Sequence, residues 1–196
     1  MPVDAIRLFP VILKVPVKIR QLNGRSKVKQ LSRHARRALA VSAQKSGVPF
    51  SKALKDDGGV PVPVDGIHWS LSHKSAFVGG VVAPCAVGID LEEIKKVSNA
   101  MFSRIAREDE WALSRRKSLV DFFRFWTAKE AVLKATGVGF KGLSNCRIQQ
   151  VVNDRSLVLE YMGEPFSVDQ IQFHGHIAAV VANGCRVDWS IEDKYA

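Results

Sequence analysis

The sequence holds no apolar run of the roughly 18 to 20 residues that a membrane-spanning helix requires. Its opening, MPVDAIRLFPVILKVPVKIR, is interrupted by proline and charge instead of being built like a signal peptide. Cysteine is scarce: Cys85, Cys146 and Cys185 lie far apart, no two at metal-ligand or redox spacing, and an odd count gives no disulfide framework. They read as ordinary reduced thiols. No G-x-x-x-x-G-K-[ST] phosphate loop is present, and no Ser/His/Asp or Cys/His nucleophile arrangement suggests itself. Acidic residues are nearly missing from one end, where Asp4 is the only one between residues 1 and 55. These absences argue against a membrane protein, a disulfide scaffold and a P-loop enzyme, and leave a soluble cytoplasmic protein as the expectation.

What is present is enough apolar material for a proper core: 46% of the 196 residues are hydrophobic and 24% charged, which suits one large domain or two small ones and argues against disorder. The formal net charge is +10, and GRSKVKQLSRHARR, residues 24–37, concentrates much of it. Such a field attracts polyanions, whether nucleic acid, a phosphorylated cofactor, an acidic protein or a membrane surface. Charge alone does not choose among them.

Apolar spacing through Leu31, Ala35, Ala38 and Leu39 predicts a helix from Leu31 to Ser46, stopped by Gly47. A turn-rich loop, KDDGGVPVPVDG, precedes a strand-like run, IHWSLSHKSAFVGGVVA, and after Pro84 comes a second strand candidate, AVGIDLE. MFSRIAREDEWALSRR and DFFRFWTAKEAVLKATG read as helices, and the remainder as antiparallel strands. The order helix, strands, helix, strands suggests duplication. SGVPFSKAL resembles TGVGFKGL at an offset of 90, pairing Gly47 with Gly137, and FVGGVVA resembles HIAAVVA at an offset of 99. The expected fold class is therefore α+β, with two similar halves, residues 1–84 and 85–196, and a site in the cleft between them.

Two local patterns carry chemistry. In VGIDLE, Asp90 and Glu92 are one residue apart, so a strand points both carboxylates to one face, where their repulsion invites a hard divalent cation. In WTAKEAVLKATG, Trp126, Glu130 and Lys134 follow one another by single helical turns, which makes Glu130 a third candidate ligand. SLSH adds Ser72 and His73, donors suited to phosphate oxygen. Each pattern also has a plainer explanation: a solvated strand end, a surface ion pair, a structural histidine. Trp126, Phe123 and Leu133 read as core.

Taken in order, SLSHK, VGIDLE, FSRIAREDEW and FWTAKEAVLKATGVGF resemble the 4'-phosphopantetheinyl transferases of the pseudo-dimeric, surfactin-synthetase type. The joined G-I-D-x-E and W-x-x-K-E-A-x-x-K patterns carry the resemblance, which covers roughly residues 31 to 143. It implies two α+β halves related by pseudo-twofold symmetry around a cleft for coenzyme A and Mg²⁺, with Mn²⁺ as an alternative. It also implies transfer of the phosphopantetheine arm to a serine of an acyl or peptidyl carrier protein, with release of adenosine 3',5'-bisphosphate. By the same resemblance, Asp90, Glu92 and Glu130 hold the metal, Lys129 and Lys134 contact pyrophosphate, and Ser72 and His73 meet the phosphates of coenzyme A. Glu130, Lys134 and His73 are the catalytic candidates.

Arg36 and Arg37 are candidates for the 3'-phosphate, and Phe102, Ile105 and Trp111 for docking an acidic carrier, with core packing as the competing explanation for those three. Val60 stands where many relatives place a lysine that contacts coenzyme A, so that contact is missing or is supplied by Lys55 or Lys74. The expected partners are coenzyme A and the carrier, with neither nucleic acid nor membrane, and the chain is expected to act as a monomer. A relative that binds coenzyme A or the carrier without efficient transfer stays open as an alternative.

Overall fold

A computed structural model describes residues 6–192; residues 1–5, Asp4 among them, and 193–196 lie outside the described residues. The chain runs through β1 (Arg7–Leu8), β2 (Val11–Lys14), α1 (Val17–Arg20), α2 (Gly24–Ser46), β3 (His68–His73), β4 (Phe77–Ala83), β5 (Ile89–Glu93), α3 (Asn99–Ile105), α4 (Glu108–Trp111) and α5 (Leu119–Thr136). A 3-10 segment (Gly139–Asn145) leads into β6 (Cys146–Asn153), β7 (Ser156–Tyr161), β8 (Glu164–Phe173), β9 (His176–Val181), β10 (Arg186–Val187) and β11 (Ser190–Glu192). One sheet has the order β11-β2-β4-β3 and another the order β5-β9-β8-β7-β6, while β1 pairs with β10. The architecture is mixed α+β, as expected.

Each sheet is covered by the helix that precedes its repeated strand. FVGGVVA is β4, under α2, and HIAAVVA is β9, under α5. Both helices stop on a glycine in the left-handed region, Gly47 at φ 66 and Gly137 at φ 73, a conformation that costs glycine little. The two helix-on-sheet units therefore repeat at the helix, its cap and one interior strand. The sheets themselves differ in strand number and order.

Close approach fixes where α5 sits. A Cβ at Gly88 would lie 1.9 Å from the Ala131 carbonyl oxygen, so only glycine lets the entry to β5 press against the middle of α5. Phe122, Phe125, Ala128, Val132 and Leu133 of that helix pack on Ile148, Leu159, Ile177 and Ala179 of the sheet. Burying each large apolar side chain contributes about 1.5–3 kcal/mol. A second cluster, Ile12, Phe77, Leu91, Phe173 and Ala178, joins strands of both sheets and so holds one against the other.

The structure departs from the sequence expectations at several points. Helix α2 begins at Gly24, because its first two turns are basic and exposed and present no apolar period. The run from residue 67 to 83 is a hairpin, with Ser72 opposite Gly79 and His73 opposite Val78. The expected helix from residue 101 to 116 is broken at Ala106, whose backbone is extended, so α3 and α4 are separate. Strand β11 pairs in parallel with β2, which returns the end of the chain to the first sheet across the expected boundary at 84/85. Ile105 and Trp111, expected at a docking surface, are buried in the α5 core, and Phe102 is half-buried against Trp111 and Phe122. Cys85 and Cys185, far apart in sequence, both pack against the cluster of Leu8, Val81, Val87 and Val180.

Candidate active site

Three elements meet at Lys134. Its ammonium donates to Asp90 Oδ1 at 2.8 Å, to the Ile89 carbonyl at 3.0 Å and to the Leu71 carbonyl at 3.5 Å, tying α5 to β5 and β3. Ser72 Oγ donates to the same Asp90 oxygen at 3.0 Å. The strand spacing of Asp90 and Glu92 and the helical spacing of Glu130 and Lys134 thus converge. Glu92 is met by Lys74, 2.7 Å away. Trp126, one turn before Glu130, is half-buried with its ring 5.8 Å from that of Phe122.

The acids are crowded and only partly compensated. Burial, then Asp90, pushes the Glu130 carboxyl up to about 7 despite the opposing effect of Lys134. Burial and Asp90 also raise Glu92, against the pull of Lys74. Asp90 Oδ2 and Glu130 Oε1 are buried without a hydrogen-bond partner, a state that folded proteins mostly avoid. Among the described residues no three His, Cys, Asp or Glu side chains form a ready-made metal cage. The two orphaned carboxylate oxygens nevertheless fit a hard cation, because Mg²⁺ takes one or two carboxylates and leaves its other positions to water and phosphate.

Beside the acids lies a cationic group. Burial lowers the pKa of His73, and the charges of Lys134, Lys74 and Lys55, from α5, the β3–β4 turn and the loop after α2, lower it further. At neutral pH this imidazole is uncharged and can donate one N–H. Val60 Cγ1 would be 3.1 Å from a Cβ at Gly137, which places the Lys55–Pro61 bridge against the end of α5. Arg36 and Arg37 are exposed on α2. Arg36 donates to Ser32 Oγ at 2.7 Å, and Arg37 lines a groove of about 480 Å³ with Lys18, Arg33 and His34.

Lys129 goes elsewhere. Its ammonium is 2.6 Å from Glu110 Oε1, with the two side chains 2% and 3% exposed. Glu110 also accepts from the backbone N–H groups of Ile148 at 2.8 Å and Arg107 at 3.0 Å. The expected pyrophosphate contact is therefore the core of a buried ion pair joining α4, α5 and β6. Sequence reasoning missed Glu110, whose only signal is its third position after Arg107 at a helix start.

Residues 86–181 match the model of the 4'-phosphopantetheinyl transferase superfamily. The chain is 38% identical to the 4'-phosphopantetheinyl transferase psf-1 of Bacillus pumilus over 46% of its own length and 42% of that protein. It is 32% identical to the 4'-phosphopantetheinyl transferase gsp of Aneurinibacillus migulanus, over 43% of this chain and 38% of the relative. Likewise it is 38% identical to the 4'-phosphopantetheinyl transferase HetI of Nostoc sp., over 42% and 38%. The chain thus spans less than half the length of these curated relatives. The family segment contains Asp90, Glu92, Glu130 and Lys134, while Ser72 and His73 lie before it.

Proposed function

We propose that this chain transfers the 4'-phosphopantetheine arm of coenzyme A to a serine of an acidic acyl or peptidyl carrier protein, converting apo to holo carrier and releasing adenosine 3',5'-bisphosphate. One observation carries the reading: an acidic pocket with two unpartnered carboxylate oxygens adjoins a histidine on which the charges of three lysines act. A site that needs a cation on one side and an anion on the other suits a metal-bound pyrophosphate.

Asp90, Glu92 and Glu130 would hold Mg²⁺, or Mn²⁺, which supplies charge neutralisation at the pyrophosphate. Lys134 fixes Asp90 and places a positive charge beside the transferring phosphate. Ser72 orients Asp90, and His73 donates a hydrogen bond to a phosphate oxygen. Glu130, at the edge of the acidic pocket, accepts the proton of the carrier serine as the serine oxygen attacks the β-phosphorus. Lys55 supplies the cationic contact that Val60 does not, since Lys74 is engaged by Glu92. Arg36 and Arg37 offer a seat for the 3'-phosphate. The basic field of α2 attracts the acidic carrier. One chain contributes every group named, which suits a monomer, and coenzyme A as co-substrate suits the cytoplasm.

The test is to incubate the protein with coenzyme A, Mg²⁺ and a panel of apo carriers and to follow intact carrier mass. A gain of one phosphopantetheine arm that disappears with chelator is the expected result. Failure to bind coenzyme A and failure to modify every carrier would together overturn the reading.

A further inference from the structure

We propose that Ser70 is a positioning residue for Asp90, acting through the Ile89 peptide and touching neither ion nor substrate itself. The inference rests on reading Asp90 as a metal ligand. Strand β5 ends its sheet, so one of its edges has no neighbouring strand in that sheet. The Gly88 carbonyl points inward and accepts from the Val181 N–H, and backbone groups alternate along a strand, so both polar groups of Ile89 point outward. Side chains meet them there. Ser70 Oγ accepts from the Ile89 N–H at 3.1 Å, and the Lys134 ammonium donates to the Ile89 carbonyl at 3.0 Å.

These two bonds come from β3 and α5 and hold Ile89 by both of its backbone groups. Its carbonyl belongs to the planar peptide unit that leads into Asp90, so fixing Ile89 fixes the backbone from which the Asp90 carboxyl projects. Ser70 and Ser72 share one face of β3: the first holds the Ile89 backbone, and the second donates to Asp90 Oδ1. The approach is close, since a Cβ at Gly79, opposite Ser72, would lie 3.3 Å from Ile89 Cδ1. Ser70 is 2% exposed. Without its hydroxyl the Ile89 N–H is buried with no acceptor, and β5 must shift or admit water to satisfy it. Either change moves Asp90, whose Oδ2 is the oxygen left for a cation.

The chain carries its own control. Ser42 Oγ accepts from the Val82 N–H, also at 3.1 Å and also buried, but that bond joins α2 to β4 instead of reaching the strand of the acids. If Ser70 served stability alone, the loss of either hydroxyl would have the same consequences.

The experiment compares Ser70→Ala and Ser42→Ala in the intact chain. Mn²⁺ is titrated in the presence of coenzyme A and followed by the free-ion paramagnetic resonance signal, against a coenzyme A blank, alongside thermal unfolding and amide exchange. Both variants should lower the thermal midpoint by roughly 3–8 °C. Only Ser70→Ala should weaken Mn²⁺ binding, by about 10-fold, and speed exchange at the Ile89 amide. Ser70→Cys keeps a weaker acceptor, so it should fall between the two and serves in place of Ser70→Ala if that variant does not fold. Mn²⁺ affinity unchanged in the Ser70 variants, or lowered equally in Ser42→Ala, would reduce Ser70 to a structural contact while leaving the metal reading intact. No Mn²⁺ bound by the unsubstituted protein would remove the metal reading, and this inference with it.

Discussion

Lys129 and Glu130 are neighbours on α5 and end in opposite electrostatic circumstances. On one side, Lys129 and Glu110 are almost fully buried and complete: Glu110 Oε1 accepts from Lys129 and Ile148, and Oε2 from Arg107. On the other, Lys134 and Ser72 satisfy one oxygen of Asp90, while Asp90 Oδ2 and Glu130 Oε1 are left without partners. Both regions bury charge, which is expensive unless it is paired and hydrogen-bonded. A buried charge that the chain completes for itself holds the fold together. One that it leaves incomplete is held ready for something outside the chain.

The largest effect should come from the incomplete side. Asp90→Asn or Glu130→Gln is expected to lower carrier modification, read as kcat/KM, on the order of 10³-fold. The thermal midpoint should stay level or rise in Glu130→Gln, because the change removes a buried carboxyl that repels Asp90. Turnover near normal in either variant would break the comparison at its functional end. The complete side should answer in stability instead. Lys129→Met leaves Glu110 charged, buried and unpaired, a loss of about 3–5 kcal/mol, measurable by urea unfolding. Adding Glu110→Gln, which removes the charge and keeps an acceptor for Ile148, should recover most of it. If Lys129→Met folds with normal stability but loses coenzyme A affinity, Lys129 belongs to the site after all.

The contrast between those two lysines also marks what the sequence could convey. Asp90 with Glu92, and Glu130 with Lys134, were legible because strand and helix periods are local, and a spacing of two or four residues fixes which side chains share a face. Lys129 was not, because α5 is apolar around most of its circumference, and no periodicity says that a lysine beside Ala128 is covered by α4 and β6. The pairing of Glu110 with Lys129 and Ile148 depends on segments distant in sequence that meet only in three dimensions. The hairpin turn at Lys74–Ala76 escaped because it contains neither glycine nor proline, and the return of β10 and β11 to β1 and β2 because a late strand carries no mark of its sheet.

Proton linkage sharpens the comparison further. Glu130 has an ordinary value of 4.5 and is raised to about 7, first by burial and next by Asp90. Below about 4.5 the group is protonated in both the folded and the unfolded chain. Between that pH and about 7 the unfolded chain releases the proton and the folded chain keeps it, so stability falls as pH rises through this window and falls no further above it. Glu92, also raised, acts in the same direction. The thermal midpoint should therefore decline from about pH 5 to 7 in the absence of divalent ion. Glu130→Gln should shrink that slope, and Mg²⁺ should raise the midpoint more at about pH 8 than at about pH 5, where protons compete for the carboxylates. An equal Mg²⁺ shift at both values would mean that the acids do not hold the ion.

The smallest effect is expected at Lys55, and it separates the two lysines that could replace the contact absent at Val60. Lys55 is exposed and acts on His73 through its charge, so Lys55→Ala should raise KM for coenzyme A several-fold with little change in kcat. High salt should erase most of that difference, because an exposed charge is screened over about a Debye length. Lys74→Ala should behave otherwise: it removes the partner of Glu92 as well as a charge near His73, which leaves the acidic pocket more in need of a cation. That variant should respond more steeply to Mg²⁺ concentration, and the difference should survive in salt because the pocket is partly buried. If both substitutions raised KM alone, both lysines would be acting as steering charges. The pairing of Lys74 with Glu92 would then have no bearing on the metal, and the incomplete side of α5 would reduce to Asp90 and Glu130.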